Sequence, residues 1–396
     1  MRLTIFPLLM GFLAFAHQGN AAEFMCNSDV PTANYSLEEQ ALVDTYWGEV
    51  LTYLGAYHSV LTQPSGRCLD SAEAVIQTYD GHTGTQQSRC IMRYSDVEQV
   101  VDHVKAVLDE PEKAKTCFDP QKPDANPMLY TPSLAVQQST KVSRWLNRPL
   151  LTNYYRKLGG KVGQSGLELN KNFLEITTRT NTLTHWPTDV SINGLPVLWS
   201  SVGWLPMYSK RPDAINKRFR GGYLYAEVMG PYGNLRIDTI DGEKVEAEIG
   251  LTVQLFDSAY PFHHHDPQEI YINLTLPKCV DQNTYALMHW DNPALIQERR
   301  NDGWAVHVDG ASGAWKQWFR NLNTRTGWLA YMERNAIHAF FLKEGCNQTI
   351  ENSGLVTSWA RTTSRTSDQN THICEPALAG EESMMPWTKG ICHIPD

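Results

Sequence analysis

The sequence predicts an α+β protein in which a large helical first half is followed by an antiparallel β-barrel or sandwich. Three observations carry this. Apolar residues recur at intervals of three and four from about Ser36 to Leu183, the period of a helix packed on one side. From about residue 195 apolar and polar residues alternate instead, the period of a strand with one buried face. The chain has 396 residues with 42% hydrophobic content, enough for one large core or two modest ones. The expected division is a leader at 1–22, a helical domain at 23–194 covering the β part, and a β domain at 195–396 that ends in a C-terminal tail.

The first stretch, MRLTIFPLLMGFLAFAHQGNAAEF, has an early arginine, an apolar run from Leu3 to Ala16, and then the small residues Gly19, Ala21 and Ala22. A run this short does not span a bilayer, and the three-part layout is that of a secretory signal peptide. Cleavage near Ala21 or Ala22 is expected, which places the mature protein in the periplasm. Eight cysteines and no CxxC pair suit disulfides in an oxidising compartment rather than a zinc ribbon. Pairing is open among them, with Cys374 and Cys392 as near neighbours a candidate. Net charge is -9, from 34 basic and 43 acidic residues, and no basic run exists to meet nucleic acid or an anionic membrane. No later segment is apolar enough for membrane insertion.

Ser36 stands three residues before Glu39, the spacing of a capping box, at the head of SLEEQALVDTYWGEVLTYLGAYHSVL. Ser95 and Glu98 repeat that spacing at the head of SDVEQVVDHVKAVLDE, with Val97, Val100, Val101, Val104 and Leu108 on one side. A proline-rich link leads to a third helical pattern, SLAVQQSTKVSRWLNRPLLTNYYRKLGG, broken before Pro149, and a fourth follows in LELNKNFLEITTRTNTL. Strands are expected in GGYLYAEVMG, LRIDTI, KVEAEIGLTVQLF, EIYINLTL, TYALMHW, GWAVHV, GWLAYME and HAFFLKEG, with turns such as PYGN, DGEK and DNP between them.

The segment YPFHHHDPQEIY, 260–271, carries the chemistry. On a strand, His263 and His265 share a face and His264 points away. With Asp266-Pro267 turning or bulging the chain, Glu269 returns to that face, and Tyr271 follows it at i+2. Two imidazoles, a carboxylate and a phenol therefore converge. A further histidine is needed from a later strand, and His338 in AIHAFF, His307 in GWAVHV and His289 in ALMHW are the candidates.

The spacing HxH-x3-E resembles the first motif of cupins, and AIHAFF resembles the histidine strand of their second motif. That resemblance implies a cupin-like barrel and selects His338 as fourth ligand beside His263, His265 and Glu269. No glycine closes the first motif, where the chain reads INLTLPKC. Tyr260, His263, His265, Glu269 and Tyr271 together resemble the signature of cupin-type dimethylsulfoniopropionate (DMSP) lyases. The leader, the length and the helical first half resemble their periplasmic Y-type branch. This resemblance implies β-elimination of the small zwitterion DMSP to dimethyl sulfide and acrylate. A single divalent metal ion is implied, with Zn the first choice and Fe, Mn or Ni also suited to three histidines and a glutamate.

Within that chemistry Tyr271 is the expected base and Tyr260 its helper on the rim. Aromatic faces attract a sulfonium cation, and Tyr223 and Tyr225 on one strand face, with Tyr331 leading to His338, are the candidates. Arg361 in SWARTT is a candidate for the substrate carboxylate, but a surface position is the expectation. An Fe(II) cupin dioxygenase and a non-catalytic periplasmic solute- or metal-binding cupin are the rival functions, separated from the lyase by oxygen consumption and by product formation. Oligomeric state is left open.

Overall fold

The computed structural model describes residues 22–30, 32, 34–62, 77–80, 85–88, 94–120, 156–157, 164, 167, 195, 197–198, 202, 205–206, 223–245, 247–255, 258–273, 283–288, 296–300, 303–309, 329–332, 337–342, 354–361, 371–376 and 389–395. The leader lies almost wholly outside these residues, as do the third and fourth helical patterns and four of the cysteines. Among the described residues no helix is long and apolar enough to cross a membrane.

Helix α1 (Leu37–Thr62) begins where the capping box predicts. The Ser36 N–H donates to Glu39 Oε2 (3.0 Å) and the Glu39 N–H donates to Ser36 Oγ (3.2 Å), so donors that every helix start leaves open are satisfied locally. Its buried side chains Val43, Tyr46, Trp47, Val50, Tyr53, Leu54, Tyr57 and Leu61 recur every three or four positions. Helix α2 (Tyr94–Asp109) buries Val100, Val101, Val104 and Val107, and the short α3 (Pro111–Ala114) follows with proline in its first turn.

The strands in chain order begin with β1 (Phe24–Cys26), β2 (Gln77–Asp80), β3 (Thr85–Ser88), β4 (Leu205–Pro206), β5 (Tyr223–Met229), β6 (Ile237–Ile240) and β7 (Glu243–Lys244). Next come β8 (Glu248–Leu255), β9 (Ser258–His264), β10 (Glu269–Asn273), β11 (Asn283–Met288), β12 (Ile296–Arg300) and β13 (Gly303–Asp309). The last are β14 (Leu329–Met332), β15 (Ile337–Leu342), β16 (Gly354–Arg361), β17 (His372–Ile373), β18 (Glu375–Pro376) and β19 (Lys389–Pro395).

These form antiparallel sheets: a six-stranded sheet in the order β14-β10-β16-β8-β5-β4, four-stranded sheets β11-β15-β9-β17 and β12-β13-β19-β18, a three-stranded sheet β1-β6-β7 and the hairpin β2-β3. Among the described residues the hydrogen bonding does not run round one closed barrel. The turn DGEK joins β6 to β7 with positive φ at Asp241 (53°) and Gly242 (82°), the backbone a tight hairpin requires.

The first half is not purely helical. Strand β1 pairs with β6 across more than 200 residues of sequence, and Cys26 is bonded to Cys117 just after α3. Buried Arg236 joins Asp119 Oδ2 (2.9 Å) and Asp29 Oδ1 (3.1 Å) beside this crossing. Cys374 and Cys392 form the second described disulfide.

One core binds the helices to the six-stranded sheet. Val50, Tyr53, Leu54 and Tyr57 of α1 belong to the same buried cluster as Ala226, Val228, Ile249, Leu251, Ile270 and Ala360. These sheet residues alternate with polar ones along β5, β8, β10 and β16, so they occupy a single face. Tyr53 Oη donates to the Gly250 carbonyl at 2.7 Å and meets Ser358 Oγ on that same side. Helix α1 therefore covers the outer face of the sheet. The rest of the helical domain expected at 23–194, from 121 onward, lies almost wholly outside the described residues.

Candidate metal centre

The inner face of the six-stranded sheet and the sheet containing β9 and β15 meet at the histidine segment. His263 on β9 pairs directly with His338 on β15, and the register slips just past that pair, a local irregularity of the kind that re-aims side chains. The ring centroids of His263 and His338 lie 3.9 Å apart, and those of His265 and His338 4.9 Å. One potential ligand atom from each of His263, His265 and His338 lies within 4.8 Å of the others, and all three residues are buried.

Glu269 reaches this cluster by a route that strand alternation does not show. The bend at Asp266-Pro267 carries the chain out of the β9 sheet and into β10 of the six-stranded sheet. Glu269 thus meets the histidines from the opposing sheet, where a return to the same strand face was expected. Its Oε2 stands 3.0 Å from His265 Nε2 and 3.7 Å from His338 Nε2, and accepts a 2.8 Å hydrogen bond from Tyr271 Oη. Its Oε1 accepts from Arg361 Nε at 3.0 Å.

His265 Nδ1 lies 2.6 Å from the Pro267 carbonyl oxygen. A carbonyl only accepts, so Nδ1 carries a proton and Nε2 is the ring atom turned toward Glu269. A buried imidazole nitrogen and a carboxylate oxygen 3.0 Å apart need a proton or a metal ion between them. A divalent metal fits that demand, and the carbonyl bond that fixes the tautomer is the usual outer support of a metal-binding imidazole. Burial alone raises the Glu269 carboxyl, but the His265 and His338 imidazoles and the Arg361 guanidinium outweigh it and hold it well below the usual carboxylate range. The carboxylate is therefore ionised and ready to ligate.

Tyr260 is buried and its ring stacks on His263 at 3.9 Å with planes 14° apart, so it braces that imidazole. His264 turns away from the cluster as expected but is buried, not outward, and stacks on His372. Tyr223 and Tyr225 pair with Gln254 and Thr252, positions in register with the Glu269 and Tyr271 face. The Tyr225 hydroxyl donates to Glu227, and its ring lies 5.2 Å from that of Trp359. Burial, then the charges of Glu227 and Glu248, push the Tyr225 phenol well above its usual value despite Arg361. Tyr331 pairs with Ile270, one position out of step with Glu269 and Tyr271; its side chain lies outside the described residues, as does that of His307. His289 falls outside them altogether.

Three inner-face residues were not anticipated as part of the site. Trp359 pairs with Tyr271, and Arg361 pairs with both Glu269 and Glu248. Arg361 is mostly buried, with Nη1 3.4 Å from Glu248 Oε2, and is not the surface residue expected. The only sequence signal was the alternation in GLVTSWAR, which marks a strand without naming its neighbours.

The family model for dimethylsulfoniopropionate lyase matches residues 190–308. A dimethylsulfoniopropionate lyase DddY from Shewanella woodyi is 35% identical over 390 residues, covering 93% of this chain and 92% of its own. Among solved structures, one from a study of the DMSP lyases RdDddP and RnDddQII overlaps with a TM-score of 0.27 at 14% identity, covering 46% of this chain and 66% of the other. The DMSP lyase DddQ from Ruegeria pomeroyi overlaps with a TM-score of 0.26 at 10% identity, covering 46% and 65%. Overlap at that level leaves the architecture to be described from the chain itself.

Proposed function

Because the chain belongs to the dimethylsulfoniopropionate lyase family, Y type, we propose that it cleaves DMSP by metal-assisted β-elimination, a carbon–sulfur lyase reaction yielding dimethyl sulfide and acrylate. The observation that carries this reading is the Tyr271 hydroxyl 2.8 Å from Glu269 Oε2, the oxygen that also faces His265 and His338. His263, His265, Glu269 and His338 would hold one divalent ion, with Zn first among Zn, Fe, Mn and Ni. When bound, that ion supplies Lewis acidity toward the substrate carboxylate and favours ionisation of a neighbouring phenol.

The chain's own residues then divide the work. Tyr271, as phenolate, takes the proton from the carbon beside the substrate carboxylate. The electron pair forms the carbon–carbon double bond, and the carbon–sulfur bond breaks with its pair going to sulfur, which leaves as neutral dimethyl sulfide. Tyr260 keeps the His263 ring in place by stacking. Tyr223 and Tyr225, with Tyr331, are the aromatic candidates for the sulfonium end. Tyr225 stays a phenol and serves as a neutral wall, since its hydroxyl is committed to Glu227. We read the facing sheets as walls of a cupin-like barrel, residues 23–194 as the domain that encloses it, and residues 1–22 as a signal peptide directing the protein to the periplasm.

The test is anaerobic incubation of Zn-loaded protein with DMSP, following acrylate in solution and dimethyl sulfide in the headspace. Equimolar products without oxygen support elimination. A requirement for Fe(II) and air would replace the lyase by the oxygenase, and recovery of unchanged DMSP would leave a binding protein.

A further inference from the structure

We propose that Arg361 is a positioning residue of the metal centre, clamping one oxygen of Glu269 so that the other is presented to the histidines. This rests on reading His263, His265, Glu269 and His338 as metal ligands. Glu269, Arg361 and Glu248 occupy one cross-strand row on the neighbouring strands β10, β16 and β8. Arg361 Nε donates to Glu269 Oε1 at 3.0 Å, while Nη1 lies 3.4 Å from Glu248 Oε2. The two oxygens of Glu269 are thereby given separate tasks. Oε1 is held by the guanidinium, and Oε2 alone faces His265, His338 and the Tyr271 hydroxyl.

A carboxylate tied at one oxygen cannot swing about its last torsion to offer both oxygens, or neither, to a cation. The planar guanidinium, anchored on its far side by Glu248, supplies that constraint in a way one ammonium cannot. The Arg361 guanidinium also lies 5.9 Å from the centre of the Trp359 ring, which further limits where it can turn. With its charge engaged by two carboxylates, Arg361 serves the Glu269 ligand rather than the carboxylate of a substrate. Outer partners of this kind typically set metal affinity by roughly 10–100-fold.

The experiment uses full-length wild type, Arg361→Lys, Glu248→Gln and the double variant Arg361→Gln/Glu248→Gln, which avoids a lone buried carboxylate at 248. Each is stripped of metal and titrated with Zn²⁺ and Co²⁺ against a chromophoric chelator, and the visible spectrum of the Co²⁺ form is recorded. Arg361→Lys and the double variant are expected to bind roughly 10–100-fold more weakly, with a displaced Co²⁺ spectrum. Glu248→Gln should change both far less, because the clamp on Oε1 remains. Arg361→Lys with wild-type affinity and spectrum would overturn the proposal, since charge alone would then suffice. Failure of both Arg361 variants to fold without metal would also overturn it, by showing that the arginine's task is to hold the sheet. If wild type binds neither metal, the ligand reading itself fails and this inference falls with it.

Discussion

Replacing Tyr271 by phenylalanine removes one oxygen from the inner face of β10 and nothing else. In the structure that oxygen donates to Glu269 Oε2, and Glu269 keeps its contacts with Arg361 and His265. The stability cost is therefore that of one hydrogen bond to a charged acceptor, about 1.5–3 kcal/mol, and not the 3–5 kcal/mol expected when a buried charge loses its whole partner. The kinetic cost is of another size. Loss of a positioned base typically lowers kcat by about 10²–10⁴, which corresponds to roughly 3–5 kcal/mol of barrier. Metal content, thermal midpoint and kcat are measured on the same preparation, with kcat repeated at rising metal concentration. A phenol that merely shapes Glu269 would give a variant whose kcat recovers when metal saturates the site. Recovery to near wild-type kcat would refute the assignment of Tyr271 as base, whereas a deficit of at least a hundredfold at full occupancy supports it.

The Glu49 carboxyl, on α1, is raised to about 7 because burial outweighs the N–H groups of Leu198 and Val197. The folded state thus holds this proton more tightly than the unfolded chain. The resulting stabilisation is fully present below the unfolded value near 4.5 and is lost as pH rises through about 7. Denaturant titrations should show up to about 3 kcal/mol of this slope vanish in Glu49→Gln. At Gly250 an added Cβ would lie 2.2 Å from the Ala226 carbonyl oxygen and 2.8 Å from Trp359 Nε1. Gly250→Ala should therefore cost at least the roughly 1–3 kcal/mol of an overpacked core, seen as a lower thermal midpoint with altered Trp359 fluorescence. Residues 195–396 expressed alone leave Ala226, Val228, Ile249, Leu251, Ile270 and Ala360 without α1; insolubility or strong binding of a hydrophobic dye is expected, and a stable, active fragment would contradict the shared core.

What the sequence made legible was what depends on near neighbours. The capping box at Ser36 and Glu39 needs three residues of context, and both of its hydrogen bonds are present. The histidine segment likewise shows its chemistry in a span of nine residues, from His263 to Tyr271. Alternation identifies which residues share a face, but not which sheet a strand joins. The crossing at Asp266-Pro267 was therefore legible only as a bend or bulge. Arg361 was missed because its partner Glu269 lies 92 positions away, and nothing in SWARTT distinguishes a buried clamp from a solvated arginine. Strand β1 is too short for periodicity to reveal, and its partner is more than 200 residues off.

The alternation that hid those pairings also explains how the metal centre is held in place. Along β10 the inner face carries Glu269 and Tyr271 while Ile270 enters the core. Along β16 Trp359 and Arg361 face inward while Ser358 and Ala360 meet α1, and along β8 Glu248 and Gly250 alternate with Ile249 and Leu251. A slip of one residue in any of these strands would carry a charged side chain into the apolar cluster and withdraw a residue from the site. Burying an ionised carboxylate unpaired in that cluster would cost several kcal/mol. The register that aligns Glu269 with Arg361 and Glu248 is thus enforced from the back of the sheet, by the residues α1 covers and by the Tyr53 hydrogen bond to the Gly250 carbonyl. Helix α1 packs on the face of the sheet opposite the proposed ligands, and that packing favours the register in which Glu269 faces them.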